Sequence, residues 1–241
     1  MNNFFRFPHT PHLIWLGVGV PRDDKVLSKT EAHELLSKEV IVEEKIDGAN
    51  LGISFTSNGE LHVQSRGQYL SKPFKGQFKK LSTWIAPHTD DLFVILGDGL
   101  ILFGEWCAAR HSIPYDRLPD WFLAFDVYDK RTGLFFSTSR RETLFRQIGL
   151  SPVPILFKKH TTLNELTSFI NTQKSAYRSG SLEGIIIRSE TDEWLNARAK
   201  LVLQDFTSGI HEHWSSRALE WNRLERDALP IKSFKARTQR E

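Results

Sequence analysis

Short runs of β-branched and aromatic residues fill much of the first two thirds of the chain, and Gly, Asn, Asp or Pro bounds each run. This pattern predicts strands at residues 39–44, 51–56, 61–65, 100–105, 122–128 and 184–189. Between the second and third of these lies Ser57-Asn58-Gly59. It predicts a hairpin turn, because Asn-Gly tolerates the positive φ of a tight hairpin.

Apolar positions at helical spacing are fewer, and they predict helices at residues 29–37, 78–86, 139–148, 162–177 and 209–228. The third of these begins with Ser139 and has Glu142 three residues later, which is the spacing of a capping box. Strands and helices are mixed without a regular βαβ order. We therefore expect an α+β fold with largely antiparallel sheets and flanking helices.

The C-terminal segment has a different pattern. Apolar residues three, four or seven positions apart line one face of an amphipathic helix there: Ile210, Trp214, Trp221, Leu224 and Ala228. Pro230 would end this helix. We expect a main domain over residues 1–206 and a short helical C-terminal appendage with a basic tail over residues 207–241.

Composition places the chain among ordinary globular proteins. It has 241 residues, of which 40% are hydrophobic and 25% charged, so it can bury a substantial core. Its one cysteine, Cys107, excludes an internal disulfide framework and a multi-cysteine zinc site. No apolar run reaches the roughly 20 residues needed to span a bilayer, and Arg6 and Pro8 interrupt the N-terminal apolar residues. We expect a soluble cytoplasmic protein that does not contact membranes.

The net charge of +3 does not by itself indicate nucleic acid as a partner. The distribution of charge is more informative, because residues 66–80 contain basic side chains and aromatic rings but no acid. The basic residues are Arg66, Lys72, Lys75, Lys79 and Lys80, and the C-terminal tail adds Lys232, Lys235, Arg237 and Arg240. Basic residues between aromatics suit phosphate contact with base stacking, although a solvated surface loop would also have this pattern.

The stretch that suggests chemistry is Lys45-Ile46-Asp47-Gly48, at the end of the first predicted strand. A lysine amine attacks phosphorus only when it is unprotonated, and burial and neighbouring cations lower its pKa. An acid two positions away on a strand points to the same side and can hold a metal-bound water. The glycine lets the backbone turn and lets a nucleotide approach closely. Taken alone, four such residues recur by chance, and an exposed Lys–Asp pair explains them better.

Further motifs follow in order along the chain. They are Ser65-Arg66-Gly67, Phe103-Gly104-Glu105-Trp106, Phe122 to Asp129 with Phe125-Asp126 inside it, Glu183-Gly184-Ile185-Ile186-Ile187-Arg188, and Arg198-Ala199-Lys200. With the lysine motif, this series resembles the ordered motifs of the covalent nucleotidyltransferase superfamily, which contains polynucleotide ligases and mRNA capping enzymes. The resemblance covers about residues 7–206 and implies an ATP-grasp-like ligase adenylation domain.

The residue after Gly48-Ala49 distinguishes the branches of this superfamily. DNA ligases usually have an arginine at this place, whereas this chain has Asn50. The form Lys-x-Asp-Gly-Ala-Asn resembles the nick-sealing branch of ATP-dependent RNA ligases. After Asp205 only 36 residues follow, too few for the five-stranded OB-fold barrel that often accompanies such enzymes, so we expect no OB-fold.

For the reaction, the resemblance implies that Lys45 accepts AMP in a phosphoramide bond. Asp47 would bind ribose or a metal-coordinated water, and Asn50 resembles the family asparagine needed to seal the adenylated strand. Glu105 and Glu183 would hold the ribose and the hydrated metal. The implied cofactors are therefore ATP and Mg²⁺ or Mn²⁺, with the metal held through water by Asp47, Glu105 and Glu183.

For nucleotide binding, Arg66 would contact the nucleotide or the 5′-phosphate, and Lys200 the α-phosphate. Phe125 would stack on the adenine in preference to Phe122, which faces the other side of the strand. Glu44 lies where the family often contacts the adenine amino group.

The last motif departs from the usual Lys-x-Lys of the family, because Arg198 stands at the first lysine's place. An arginine keeps the charge but changes its geometry. The register Lys200-x-Val202 is the alternative and would lose one cation. We prefer the first register, since a strand places Arg198 and Lys200 on one face.

We interpret the chain as a monomeric ATP-dependent RNA ligase for RNA repair, which joins 5′-phosphate and 3′-hydroxyl RNA ends through lysyl-AMP. A DNA ligase, a GTP-using capping-type nucleotidyltransferase and an inactive nucleic-acid-binding relative are the alternatives. Whether the RNA is a nick, a broken tRNA loop or a single strand stays open at this point.

Overall fold

A computed structural model describes residues 4–17, 19, 25–204, 206 and 218–225. Its strands are β1 (Val40–Glu44), β2 (Ala49–Phe55), β3 (Leu61–Ser65), β4 (Leu100–Trp106), β5 (Phe122–Asp129), β6 (Leu134–Phe135), β7 (Ser151–Pro152), β8 (Ile155–Lys159), β9 (Gly184–Glu190) and β10 (Leu195–Val202). The Asn58-Gly59 turn joins β2 to β3 with Gly59 at φ +79°, as predicted. The α+β class with antiparallel sheets is confirmed.

Within the described ranges, the α-helices that flank the sheets are α1 (Lys29–Leu36), α2 (Leu81–Ile85), α3 (Thr89–Leu96), α4 (Thr138–Ile148) and α5 (Leu163–Thr172). Two short 3-10 helices, Gly76–Phe78 and Ala86–His88, lie on either side of α2. Among the helices that the structure describes, none has the length and apolar character needed to cross a membrane.

The chain crosses from one sheet to the other immediately after β1. The first sheet has the strand order β10-β9-β1-β8, and the second has β3-β2-β4-β5-β6 with β7 parallel to β5. Because β1 belongs to the first sheet and β2 to the second, the segment 45–48 bridges them. The lysine motif is therefore at the junction of the two sheets.

Each sheet has its own apolar core. In the first sheet, Val42 and Ile187 pack with Leu166 and Ile170 of α5. In the second sheet, a larger cluster includes Trp106. Burial of these side chains stabilises both sheets, at roughly 25 cal/mol per Å² of apolar surface, and so holds the strand ends that meet at the junction.

The helix termini differ in part from the sequence prediction. A capping box is present at Ser28 with Glu31 in α1, but the predicted one at Ser139 is wrong, because α4 starts one residue earlier after Ser137, which makes no side-chain cap bond. The predicted helix 162–177 ends at Thr172, since Gln173 adopts an extended backbone. The predicted helix 78–86 is broken into shorter helical segments.

The C-terminal helix predicted at residues 209–228 is wrong where the structure describes it. Residues 218–224 contain no helix, and Trp221 and Leu224 form β-bridges with Ala109 and Leu118. Leu224 is buried in the core of the second sheet. Other parts of the predicted helix and the basic tail lie outside the described residues, and the division at residue 206 stays a prediction.

Candidate active site

A cavity of about 620 Å³ lies between the two sheets. Eight of the residues singled out in the sequence line it: Glu44, Lys45, Asn50, Arg66, Glu105, Phe125, Arg198 and Lys200. The other two, Asp47 and Glu183, are part of the same region through the hydrogen bonds given below. Motifs that are far apart in sequence therefore meet in one place.

Lys45 lies directly after β1, and its backbone N–H donates to the carbonyl of Gly184 over 3.0 Å. Its side chain crosses to the residue before β9, where Nζ donates to Glu183 Oε1 and Oε2 over 2.7 and 2.8 Å. The Lys45 side chain is 23% exposed. Pairing of β1 with β9 thus fixes both partners of this ion pair, and the amine is held at the cavity wall.

The charge state of Lys45 differs from the sequence expectation. Burial alone would lower its pKa, but the carboxylates of Glu183, Asp47 and Glu105 outweigh burial and raise the pKa above its ordinary value. The prediction of a lowered Lys45 pKa is therefore wrong for the protein side chains alone. Lys45 is an ammonium held by carboxylates, and withdrawal of their charge would be needed to make it a nucleophile.

The two glutamates of the site, Glu105 and Glu183, also have pKa values above the ordinary value, which in their case disfavours the charged form. Burial raises the pKa of Glu105 to about 8, and the carboxylates of Asp47 and Glu183 contribute to that shift. Burial also raises the pKa of Glu183. Crowded, buried carboxylates are stabilised by a cation, and their oxygens are the ligands that Mg²⁺ and Mn²⁺ prefer.

The described part of the chain contains no cluster of three His, Cys, Asp or Glu side chains placed to hold a metal ion by themselves. Mg²⁺ in phosphoryl-transfer sites commonly keeps several waters and uses one or two carboxylates with the substrate phosphates. The carboxylates of the site therefore fit a hydrated ion that a nucleotide would bring in, and contacts to it through water stay a prediction.

Asp47 is held by the segment that follows β4. Its Oδ2 accepts hydrogen bonds from the backbone N–H groups of Ser112 and Ile113 over 2.7 and 3.2 Å, and its own N–H donates to Tyr115 Oη over 2.9 Å. Because β1 ends at Glu44, the argument that Lys45 and Asp47 share one side of a strand does not apply. Asp47 instead fixes the backbone of the lysine motif to residues 112–115.

Gly48 is required by the closeness of β4. A Cβ added there would lie 2.6 Å from the carbonyl oxygen of Trp106 and 3.1 Å from Cγ of Glu105. This close approach lets the backbone of the lysine motif lie against the glutamate strand, which the sequence argument had attributed to a turn and to the nucleotide.

We expect Gly48→Ala to slow covalent nucleotide transfer by about 10–100-fold, because displacement of this backbone by about 1 Å moves Lys45 relative to Glu105. The measurement is the rate of adduct formation with labelled nucleotide. Gly99→Ala is the control, since nothing lies within 4 Å of its added Cβ. An unchanged rate in Gly48→Ala would show that the contact with β4 is not needed.

Asn50 and Glu44 have different environments. Asn50 on β2 lies opposite Glu105 on β4, and its Oδ1 is buried at the cavity without a hydrogen-bond partner. An acceptor of this kind is satisfied by a ligand or water. The carboxylate of Glu44 accepts from the backbone N–H of Ala176 over 2.8 Å, and burial raises its pKa. It is therefore anchored to the segment after α5.

The aromatic wall of the cavity is formed by Phe125 with Phe7, whose ring centroids are 5.3 Å apart in an edge-on arrangement. Phe122 faces the other side of β5 and packs on Trp84 at 5.0 Å, fully buried. The preference for Phe125 over Phe122 as the ring in the cavity agrees with this geometry. Phe7 was missed because no spacing in the sequence connects it with β5.

The two basic residues of β10 both line the cavity, in agreement with the preferred register. Arg198 donates to Asp126, and its guanidinium carbon lies 4.4 Å and 4.5 Å from the ring centroids of Phe7 and Phe135. Burial lowers the pKa of Arg198. Arg198 is thus a fixed, partly neutralised cation.

A buried ion network behind the cavity was missed by the sequence analysis. It consists of three acids and three arginines: Glu43, Asp126, Glu190, Arg141, Arg188 and Arg198. Arg188 of β9 donates to Asp126 of β5 over 2.9 Å and to Glu190 over 2.7 Å. The bond between Arg188 and Asp126 joins the two sheets. The sequence feature that could have indicated this network is the presence of charged residues inside otherwise apolar strands, as in Phe125-Asp126 and Ile187-Arg188.

This arrangement is an α+β domain of two sheets, with a lysine at the cavity between them. Residues 38–202 match the model of the family described as RNA ligase. The match covers more than half of the chain, so the chain belongs to the RNA ligase family. No curated protein matches the chain in sequence.

Solved structures with a similar fold include RNA ligases of distant sequence. A Naegleria gruberi RNA ligase variant with ATP and Mn has a TM-score of 0.59 at 16% identity, over 72% of this chain and 52% of that one. A second variant of that ligase has a TM-score of 0.64 at 14% identity, over 87% of this chain and 59% of that one. An archaeal ATP-dependent RNA ligase has a TM-score of 0.56 at 19% identity, over 82% of this chain and 48% of that one. The chain thus spans about half the length of these proteins, and the likeness establishes the fold.

Proposed function

We propose that this protein is an ATP-dependent RNA ligase that joins 5′-phosphate and 3′-hydroxyl ends through a covalent lysyl-AMP intermediate. The observation that carries the proposal is Lys45, held by Glu183 at the cavity between the sheets, within the segment that matches the RNA ligase family. Structural neighbours that were solved with ATP and Mn support ATP and a divalent metal as cofactors.

In the first step Lys45 Nζ forms a bond to the α-phosphorus of ATP, and the bond to pyrophosphate breaks. Glu183 already accepts hydrogen bonds from Nζ, so it is the group placed to take the proton. Lys200 would stabilise negative charge on the α-phosphate as cationic clamps do. A bound Mg²⁺ or Mn²⁺ would neutralise triphosphate charge, with Asp47, Glu105 and Glu183 as its holders through water.

The walls of the cavity suit an adenine nucleotide. Phe125 offers a ring for stacking, and Phe7 supports it edge-on. Glu44 would contact the adenine amino group, and Arg66 and Arg198 would contact phosphate or ribose. In the second step AMP moves to a 5′-phosphate. In the third, a 3′-hydroxyl displaces AMP, for which the unsatisfied Oδ1 of Asn50 is the proposed polar contact.

The basic segment 66–80 is the proposed RNA track. It begins with Arg66 and ends near Gln77 and Phe78, and all three line the cavity. A segment with basic residues that begins and ends at the cavity can neutralise RNA phosphates next to the reacting end. The basic residues of the C-terminal tail, which were also predicted to contact RNA, lie outside the described residues. A monomeric state and a cytoplasmic location remain part of the proposal.

Parallel labelling with radioactive ATP and GTP tests the nucleotide assignment. We expect an adduct with ATP alone, and an adduct with GTP would favour a capping-type enzyme. Sealing of nicks that have RNA or DNA 3′-ends then separates an RNA ligase from a DNA ligase, which would seal both equally. No adduct with either nucleotide would favour an inactive nucleic-acid-binding relative.

Phe125→Ala is expected to raise the KM for ATP by about 5- to 150-fold, since stacking on an aromatic ring is worth about 1–3 kcal/mol per base. Steady-state adduct formation as a function of ATP concentration measures this effect. Phe125→Trp should restore binding. Phe93→Ala is the matched control, because Phe93 is exposed and lies on α3 away from the cavity. An unchanged KM in Phe125→Ala would exclude stacking on this ring.

A further inference from the structure

Residues 218–225, here named the C-terminal strap, are attached to the segment 107–118 that follows β4. Five backbone hydrogen bonds of 2.9–3.0 Å join them, from Arg110 to Glu220, Asn222 to Ala108, Arg223 to Tyr115, Leu118 to Arg223 and Glu225 to Leu118. The strap lies outside residues 38–202, which match the family model.

Asn222 is the centre of this attachment. It is 4% exposed, and its Nδ2 donates to the carbonyls of Cys107 and Ala109 over 2.8 and 3.2 Å. Its Oδ1 accepts from the backbone N–H of Tyr115 over 2.8 Å. One buried amide therefore holds both ends of residues 107–115, and loss of it would leave three buried backbone groups without these partners.

The segment held by Asn222 is the same one that fixes the lysine motif. Tyr115 Oη accepts from the N–H of Asp47, and the N–H groups of Ser112 and Ile113 bind its carboxylate. Contacts thus run from Asn222 through Tyr115 to Asp47, two residues from Lys45. The same segment continues directly from β4, which carries Glu105.

We infer that Asn222 is a positioning residue for covalent nucleotide transfer: the strap holds residues 107–115 so that Asp47 fixes Lys45 beside Glu105 and Glu183. This inference rests on the proposed function. It assigns to residues beyond the family match a part in completing the active site.

The test is single-turnover adduct formation by Asn222→Ala in the full chain. We expect the rate constant to fall by about 10–100-fold at saturating ATP, because a displacement near 1 Å at a reacting group costs this much. The amplitude and the KM for ATP should change much less. A purely structural role would lower the amplitude through loss of folded protein and leave the rate constant unchanged, and that result would overturn the inference.

Two variants of the same strap serve as controls. Glu220→Gln breaks only an exposed ion pair with Arg110, whose Nη1 lies 2.6 Å from Glu220 Oε2, and should leave the rate constant unchanged. Leu224→Ala removes buried packing but keeps the Asn222 amide. It should lower the free energy of unfolding and leave the rate constant of the folded protein nearly unchanged. An equal loss of rate in Leu224→Ala and Asn222→Ala would contradict a specific role of the amide.

Cys107 gives a measurement that does not depend on activity. It is the one cysteine of the chain and is buried, and its carbonyl accepts from Asn222. Loosening of this segment in Asn222→Ala should raise its reactivity toward an aromatic disulfide reagent by about tenfold through local opening. Unchanged reactivity of Cys107 in Asn222→Ala would overturn the inference that the strap holds this segment. Absence of a nucleotide adduct in the wild-type chain would instead overturn the proposed function.

Discussion

Lys45→Ala is expected to form no covalent nucleotide adduct, because it removes the amine that bonds to the α-phosphorus. Incubation with α-labelled ATP followed by denaturing electrophoresis measures the adduct directly. Lys45→Arg should be equally inactive, since a guanidinium keeps the charge next to Glu183 but stays protonated. The effect is the largest expected for any single substitution at the site.

Two controls make this result specific to Lys45. Lys38→Ala removes an exposed lysine just before β1 and should leave adduct formation unchanged. RNA that already carries AMP on its 5′-phosphate needs no lysine for the final step, so Lys45→Ala should still seal it. A labelled band from Lys45→Ala would mean that another residue is the acceptor.

The sequence was sufficient for the features that local physical chemistry determines. Strands at residues 61–65 and 100–105 were predictable because β-branched and aromatic runs ended in turn residues, and the structure has β3 and β4 there. The order of the motifs predicted that Lys45, Glu105, Glu183 and Lys200 belong together. Pairing of β1 with β9 and of β9 with β10 brings Lys45, Glu183 and Lys200 together. Pairing of β2 with β4 brings Glu105 next to the lysine motif.

What the sequence could not provide depends on contacts between distant segments. The raised pKa of Lys45 results from the nearby carboxylate of Asp47 and from those of Glu105 and Glu183, which lie on distant segments. No spacing in the sequence encodes the distances to these two glutamates. The strap was predicted to be helical because Trp221 and Leu224 have helical spacing, but hydrogen bonds to residues 108–118 hold residues 218–224 in a non-helical conformation. Tertiary pairing overrode the local pattern in this case.

Asp126→Ala is expected to destabilise the fold by about 3–5 kcal/mol, the cost of removing one partner from a buried ion pair. Asp126 is 1% exposed and accepts from both Arg188 and Arg198. Its removal leaves three buried guanidinium groups with less compensation, those of Arg188 on β9, Arg198 on β10 and Arg141 on α4. The midpoint of urea unfolding measures the loss, and Asp116→Asn is the control, since Asp116 is exposed.

The same substitution also tests how the network acts on the cavity. Arg198 lines the cavity and is held in place by Asp126, so folded Asp126→Ala should bind ATP more weakly as well as unfold more easily. Replacement of Arg198 by Met in that background removes one of the unpaired charges. It should recover part of the lost stability, because the two sites are in contact and their effects are not additive, but it should not recover ATP binding. If Asp126→Ala were as stable as the wild-type chain, the network would not be what holds the two sheets together behind Lys45.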